Sequence, residues 1–263
     1  MRIGLIGAGN LGEALVRGVG AAFGRVLVAE KRSERLDFMV ATYGVEPSTV
    51  SSLMSQAEVV IVAVKPTQIA KTLGEMAAAV TQQQIIVSVA AGVSLSQIAL
   101  YLGAERQLVR VMPNTPAAVG AGVSAIFHPA GERGVLDKVH AVFSCVGDVV
   151  EVQDESWFDA ITALSGSGPA YICLVLEALV EGGVKAGLPR DVASRLALGT
   201  LRGTAALVDA RDGDAAATRH AVTSPGGTTA YGLAVLEQRA TRSAFIEAVA
   251  AAAQRGHELG QRS

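Results

Sequence analysis

Three features of the sequence predict an α/β protein in which a doubly wound parallel sheet is followed by an all-α domain. From Arg2 to about Val152, short β-branched apolar runs alternate with helix-like segments of roughly 10 to 15 residues. Those runs are apolar on both faces, as strands covered by helices on each side should be. After Gln153 the strand signal stops, and Ala, Leu, Gly and Arg dominate at helical spacing. The expected division is 1–152 for the sheet domain and 153–263 for the helical one. A length of 263 residues, half of them apolar, also suits two domains better than one core.

In chain order, the strands are expected at Arg2–Ile6, Arg25–Ala29, Val59–Val64, Ile85–Val89, Leu108–Met112 and Val123–Phe127. The helices of the second half are expected at about Ser156–Leu164, Pro169–Ala186, Arg190–Val208, Thr229–Arg239 and Ser243–Glu258. Pro169 suits a first helical turn, Gly187 a helix end, and Asp191 the next helix start. These helices carry more apolar face than so small a domain can cover, so burial against a second subunit is expected.

Lys and Arg number 22 against 24 Asp and Glu, a formal balance of −2. Such a chain offers no general attraction to phosphate backbones or anionic bilayers, so nucleic acid and membrane surfaces are not expected partners. Glu177, the glutamine triplet at 82–84 and the glycines break the apolar stretches, and no membrane span is predicted. The N-terminus reads as a strand rather than a signal peptide, which points to the cytoplasm. Cys145 and Cys173 sit in apolar runs without metal-ligand spacing and read as buried thiols. His128, His140, His220 and His257 are scattered, and no metal site is expected.

Directly after the first strand comes Gly7-Ala8-Gly9-Asn10-Leu11-Gly12, a G-x-G-x-x-G that opens a helix-like segment. In a strand, loop, helix and strand of this order, the pattern predicts a Rossmann dinucleotide site. Gly7 permits the tight turn, Gly9 lets the backbone approach a pyrophosphate, and Gly12 packs helix on strand. The free amides and dipole of the helix start then bind the diphosphate. The second strand ends in mixed signals. Glu30 favours a ribose 2′-hydroxyl and would repel a 2′-phosphate unless it turns away, whereas Lys31, Arg32 and the Ser33 hydroxyl would welcome one. The expected cofactor is NADPH, with NADH also usable.

Three more segments lie where such a sheet places chemistry: Val64-Lys65-Pro66, Ser88-Val89-Ala90-Ala91-Gly92, and Arg110-Val111-Met112-Pro113-Asn114-Thr115-Pro116. The helical half adds Ser165-Gly166-Ser167-Gly168-Pro169 and Ser224-Pro225-Gly226-Gly227-Thr228-Thr229. Both read as helix starts presenting amides and hydroxyls, a receptor for a small carboxylate.

On these motifs, nearly end to end, the sequence resembles the pyrroline-5-carboxylate reductases, which catalyse the last step of proline biosynthesis. The resemblance implies a helical domain that interlocks with its partner into a homodimer, often a ring of five dimers, with substrate held between the helical domains of two subunits. It puts the substrate carboxylate on the amides of Gly226, Gly227 and Thr228, and the Thr229 hydroxyl on the imine nitrogen as the catalytic donor. Ser165, Gly166, Ser167 and Gly168 would wall the other side of the ring. Ala90 and Ala91 would lie against the nicotinamide, with Val64, Lys65, Pro66 and Asn114 around its ribose and carboxamide. Glu30 departs from the family, where a residue tolerant of 2′-phosphate is commoner.

The implied reaction is hydride transfer to the C=N carbon of a cyclic imine, which gives L-proline. A cyclic imine holds its own proton near neutral pH, so a weak donor suffices and no His or Cys is needed. Two alternatives stay open at this point. A β-hydroxyacid dehydrogenase would need a lysine one turn into the long helix, where Pro169, Ala170, Tyr171 and Ile172 stand. A nucleotide-binding regulator without turnover would have no use for intact Ser-Gly-Ser-Gly and Ser-Pro-Gly-Gly-Thr-Thr motifs.

Overall fold

A computed structural model describes residues 1–261. Residues packing with the sheet form one unit, Met1–Ser167 joined by residues 251–261, and Gly168–Ala250 form a second. The change from strands to helices thus comes near Val152, but the change in packing comes at Ser167.

The sheet unit begins β1 (Ile3–Ile6), α1 (Asn10–Phe23), β2 (Leu27–Ala29), α2 (Ser33–Tyr43), β3 (Glu46–Pro47), α3 (Val50–Met54) and β4 (Val59–Val62). It continues with α4 (Ile69–Ala77), β5 (Ile85–Ser88), α5 (Leu95–Leu102), β6 (Gln107–Met112), β7 (Gly122–Phe127), α6 (Arg133–Phe143), β8 (Gly147–Glu151) and α7 (Phe158–Ile161). The strand order is β3-β2-β1-β4-β5-β6-β7-β8. Its first six strands are parallel neighbours in the order of a dinucleotide-binding sheet.

Period-two alternation decides which face each residue joins. Leu5, Val28, Ile61, Val87 and Val109 enter one buried cluster with Leu15, Val19, Val139 and Phe143 from the helices. Ile6, Leu27, Val60, Ile86 and Leu108 enter the other with Leu53, Leu73, Met76 and Ile98. Both faces are covered, which is why these strands read as continuous apolar runs.

The sheet is not wholly parallel. β7 runs antiparallel to β6, with Val111 opposite Ile126, and β8 then pairs parallel to β7. A short 3-10 turn at Thr115–Val119 permits the reversal, because no crossover helix is needed to return antiparallel. Strands β3 and β8 were not expected: the first is two residues long, and the second carries Asp148 and Glu151 at the sheet edge. The fourth strand stops at Val62 rather than Val64, and the second starts at Leu27 rather than Arg25.

The expected helix at 156–164 is broken into a 3-10 turn at Glu155–Trp157, α7, and a π-helical turn at Thr162–Gly166. The rest of the chain is α8 (Gly168–Lys185), α9 (Arg190–Asp209), α10 (Ala215–Ala221), α11 (Thr228–Gln238) and α12 (Thr241–Gly260). The unexpected α10 is only seven residues long and is capped by Asp214, whose carboxylate accepts the Ala217 amide. Gly187 ends α8 at φ +104, where its successor's amide reaches back to the Gly183 carbonyl.

The second unit has almost no interior of its own. Among the described residues, Ala193, Ala197 and Thr218 are its buried positions, while Leu174, Leu196, Leu198, Tyr231, Val235 and Ile246 are exposed. Two expectations change with this. Cys173 lies exposed on α8 rather than buried, because none of the described residues covers that helix face, and Cys145 is half-buried. The helical stretch Glu155–Lys185 contains an 18-residue window of mean hydropathy 1.5, long and apolar enough by composition to cross a membrane, where the sequence predicts no span. Nor are all the histidines isolated on the surface: His128 is buried, and His257 Nδ1 lies 3.4 Å from the Asp159 carboxylate.

Candidate functional site

The sheet registers Ile6 against Ala29 and Val62, and Val62 against Ser88, so β1, β2, β4 and β5 all end on one edge. The loops after these strands carry Gly7, Glu30, Lys65 and Ala90. Between β1 and β4 the strand order reverses, and a crevice forms where α1 leaves one strand on one face and α4 leaves the other on the opposite face.

The glycine loop is built for close approach. Gly7 has φ +95, and a Cβ there would sit 2.7 Å from the Ala63 carbonyl oxygen. A Cβ on Gly12 would lie 2.3 Å from the Gly7 oxygen, so the helix can start under the turn only if that residue is glycine. A Cβ on Gly9 would meet nothing within 4 Å, leaving open space above the loop. Among the described residues, the amides of Asn10, Leu11 and Gly12 at the start of α1 have no acceptor. Unpaired amides at a positive helix end, beside a space without side chains, fit a diphosphate.

Behind the loop, Arg35 Nε donates to the Ala8 carbonyl at 2.6 Å and its guanidinium pairs with Glu13. The Tyr43 hydroxyl donates to the same carboxylate at 2.7 Å. Hydrogen bonds from Tyr43 and Arg35 hold the Glu13 carboxyl below its ordinary range. The sequence reading missed this brace; its signal was the placement of an acid in the first turn of α1 opposite an arginine in α2.

Glu30 turns inward. Its Oε2 accepts the Ala8 amide at 2.8 Å, and its Oε1 accepts both the Arg32 amide and Arg32 Nε at 3.0 Å. Burial alone would raise this carboxyl, but the hydrogen bonds from the Arg32 side chain, the Arg32 amide and the Ala8 amide prevail and hold it at about 2. Lys31 pairs with Glu75 at 2.9 Å on the surface, and Ser33 is exposed at the start of α2.

The remaining walls of the crevice differ in character. Val64 lies against Gly7, while Lys65 and Pro66 are exposed where a 3-10 turn begins. Ala90 is buried, with its amide 3.3 Å from the Ser88 hydroxyl, and Ala91 is half-buried. The Asn114 side chain accepts the Val123 amide at 2.9 Å and donates to the Ser165 carbonyl at 3.3 Å. Its amide is therefore engaged in holding the loop after β6 to the π turn. A separate cleft of about 430 Å³ lies beyond Phe127 between His128 and Glu151, and no residue expected to carry chemistry lines it.

The two glycine and hydroxyl segments of the helical half are unlike each other. Ser165, Gly166 and Ser167 do not open a fresh helix: they lie in and after the π turn that links α7 to α8, and the Ser167 amide donates to the Thr162 carbonyl at 2.8 Å. What this turn offers is hydroxyls, since Ser165 Oγ and Ser167 Oγ have no partner among the described residues. Gly168 begins α8. In the second unit, by contrast, α11 is a true helix start. Gly226 takes φ +69, and the Gly227 amide closes the turn on the Ser224 carbonyl at 3.1 Å. The Gly227 amide is thus engaged within the turn, which leaves the amides of Gly226, Thr228 and Thr229 and the Thr229 hydroxyl. None of these four donors has an acceptor among the described residues.

The family described as pyrroline-5-carboxylate reductase dimerisation matches residues 155–259, and the one described as NADP oxidoreductase, coenzyme F420-dependent, matches residues 2–92. The pyrroline-5-carboxylate reductase of Synechocystis is 43% identical over all of this chain and 99% of its own. The solved structure of the enzyme of that name from Coxiella burnetii has a TM-score of 0.92 and 35% identity, covering 98% of each chain. The Plasmodium falciparum pyrroline carboxylate reductase, solved with NADP bound, has a TM-score of 0.86 and 27% identity over 99% of this chain and 98% of that one. Matched at these identities from one end to the other, the chain belongs to the pyrroline-5-carboxylate reductase family.

Proposed function

We propose that the protein reduces 1-pyrroline-5-carboxylate to L-proline with NADPH, and that it also accepts NADH. The observation that carries this reading is the start of α11, where the amides of Gly226, Thr228 and Thr229 and the Thr229 hydroxyl are left without an acceptor among the described residues. The glycine loop and the unpaired amides of Asn10, Leu11 and Gly12 would hold the diphosphate. Ala90 and Ala91 would lie against the nicotinamide, and Val64, Lys65 and Pro66 beside its ribose. NADPH, when bound there, would supply the hydride for the C=N carbon.

The protein's share is position and electrostatics. The amides of Gly226 and Thr228 would fix the substrate carboxylate at a positive helix end, with the Gly227 amide shaping the turn from within. The Thr229 hydroxyl would hydrogen-bond the imine nitrogen and keep the ring in register as that nitrogen becomes an amine. Ser165 and Ser167 would bound the ring from the π turn, with Gly166 and Gly168 keeping that wall low. Lys65 has no proton to move in this scheme.

The exposed apolar faces of α8, α9 and α11 support a homodimer through the helical unit, and a ring of five dimers is the larger assembly we propose. On this reading the apolar stretch Glu155–Lys185 is subunit interface rather than membrane anchor, and the enzyme works in the cytoplasm. A β-hydroxyacid dehydrogenase is disfavoured by one position: Lys185, at the far end of α8, is the last lysine of the chain, and the first turns of that helix hold no base.

The test follows NADPH absorbance with pyrroline-5-carboxylate and, separately, NADP-dependent oxidation of 3-hydroxyisobutyrate. Oxidation of NADPH by the imine alone supports the reading. Turnover of the hydroxyacid alone would replace it with the dehydrogenase, and no turnover of either would leave a nucleotide-binding protein.

A further inference from the structure

An acid at the end of the second strand ordinarily bonds the ribose 2′-hydroxyl and excludes a 2′-phosphate. Glu30 is placed for that role by sequence but not by geometry. Its two oxygens already receive four donors: the Ala8 amide at 2.8 Å, the Arg32 amide and Nε at 3.0 Å, and Arg32 Nη2 at 3.2 Å. A carboxylate has about four lone-pair sites, so none remains for a ribose hydroxyl. The side chain is also only 8% exposed, whereas that of Arg32 is 65% exposed.

The guanidinium is held by one edge. Nε and one hydrogen of Nη2 face Glu30, which leaves three N–H donors, two on Nη1 and one on Nη2, directed away from the carboxylate. The same contact cancels the negative charge that would otherwise repel a phosphate. Because Glu30 also bonds Ala8, the arginine is registered to the glycine loop itself rather than to a free surface turn.

Taking the nucleotide-binding reading above as its basis, we propose that Glu30 is a positioning residue for a 2′-phosphate: it holds Arg32 with its outer edge presented to the phosphate of NADPH and makes no bond to the ribose. A pre-oriented arginine loses less freedom on binding than a mobile one, so the acid promotes the nucleotide it would be expected to reject.

The experiment measures dissociation constants of the full-length protein for NADPH, NADH and 2′,5′-ADP by calorimetry, for the wild type and for Glu30→Ala, Glu30→Asp and Arg32→Ala. The expected result is a wild-type preference for NADPH over NADH of about tenfold or more, the scale of one charge-assisted contact. Arg32→Ala removes that preference and weakens 2′,5′-ADP by a similar factor. Glu30→Ala weakens NADPH and 2′,5′-ADP several-fold more than NADH, and Glu30→Asp recovers part of the loss. Tighter NADPH and weaker NADH in Glu30→Ala would overturn the proposal by restoring the ordinary role of the acid. Equal loss for both nucleotides would overturn it by reducing Glu30 to a support of the loop. If Glu30→Ala does not fold, Glu30→Asp carries the comparison, and an unchanged NADPH to NADH ratio in Arg32→Ala overturns the proposal by itself. A wild type that binds none of the three probes would remove the nucleotide reading itself, a failure distinct from an unchanged NADPH to NADH ratio in the variants.

Discussion

Arg110 Nη1 and Glu155 Oε1 lie 2.9 Å apart, and the same carboxylate oxygen accepts the Leu95 amide at 2.7 Å. One charge pair therefore ties β6 and the segment after β8 to the start of α5. The Arg110 guanidinium also rests 4.4 Å from the centre of the Phe158 ring, and its Nε is buried without a hydrogen-bond partner among the described residues. Among the described residues, the carboxylate is the anion that pairs with this cation, and the ring face adds a cation–π contact.

Removing Glu155 should consequently cost more than removing Arg110. Glu155→Ala leaves a buried, unpaired cation and is expected to destabilise the protein by about 3 kcal/mol. Arg110→Met leaves the Glu155 carboxylate unpaired, but that group is 24% exposed and keeps the Leu95 amide, so the variant should cost less, about 1–2 kcal/mol. Urea unfolding of the two variants checks the order; equal stabilities, or a larger loss from Arg110→Met, would contradict it.

Glu30 makes a specific prediction about acid. Its carboxyl is held at about 2 in the folded chain against an ordinary 4.5, so folding favours the deprotonated form. That contribution is complete above about pH 4.5 and is lost as pH falls towards 2. In Glu30→Gln the slope of stability with pH between these limits should be shallower than in the wild type. Denaturant midpoints measured across the window give the difference, and identical slopes would show that the four hydrogen bonds do not stabilise the ionised form.

Thr229→Ala should lower turnover by roughly 10- to 1,000-fold, the range for loss of a positioned donor. The nucleotide affinity of this variant should be unchanged, because Thr229 belongs to a different unit from the glycine loop. Thr229→Ser should retain most of the activity. Steady-state kinetics decide, and wild-type turnover in Thr229→Ala would remove this hydroxyl from the mechanism.

Leu174 is 63% exposed on α8 within a unit that buries almost nothing by itself. A two-fold interface repeats every substitution, so Leu174→Glu places two charges where two leucines, each worth roughly 2 kcal/mol of burial, would meet. Sedimentation should show the dimer shifted to monomer, with near-native helix content in the sheet unit. A dimer unchanged in stability would put the interface on another face.

These expectations separate what the sequence made legible from what it concealed. The β1 to β2 segment was readable because doubly buried strands leave continuous Val and Ile runs and because the spacing of Gly7, Gly9 and Gly12 has few other uses. The reversal of β7 was hidden, since a strand's residues record which faces are buried and not the direction it runs. The π turn was hidden for a related reason: Thr162 to Ser167 differ from an α-helix in which carbonyls accept the amides, as the Ser167 amide does by reaching back five residues to Thr162. At the site, the donors of α11 were legible as a class, but the inward turn of the Gly227 amide depends on Ser224 and Gly226 adopting a particular bend. Glu30 was visible as a conflict with Lys31 and Arg32. Its resolution lay in a two-residue ion pair that local pattern does not forecast.

A crystal of the protein grown with L-proline and NADP⁺ tests the central claim most directly. The account predicts the proline carboxylate on the amides of Gly226 and Thr228, its ring nitrogen within hydrogen-bonding distance of the Thr229 hydroxyl, and the nicotinamide facing the ring carbon next to that nitrogen. Proline bound away from α11, or bound there with no path to the nicotinamide, would contradict it.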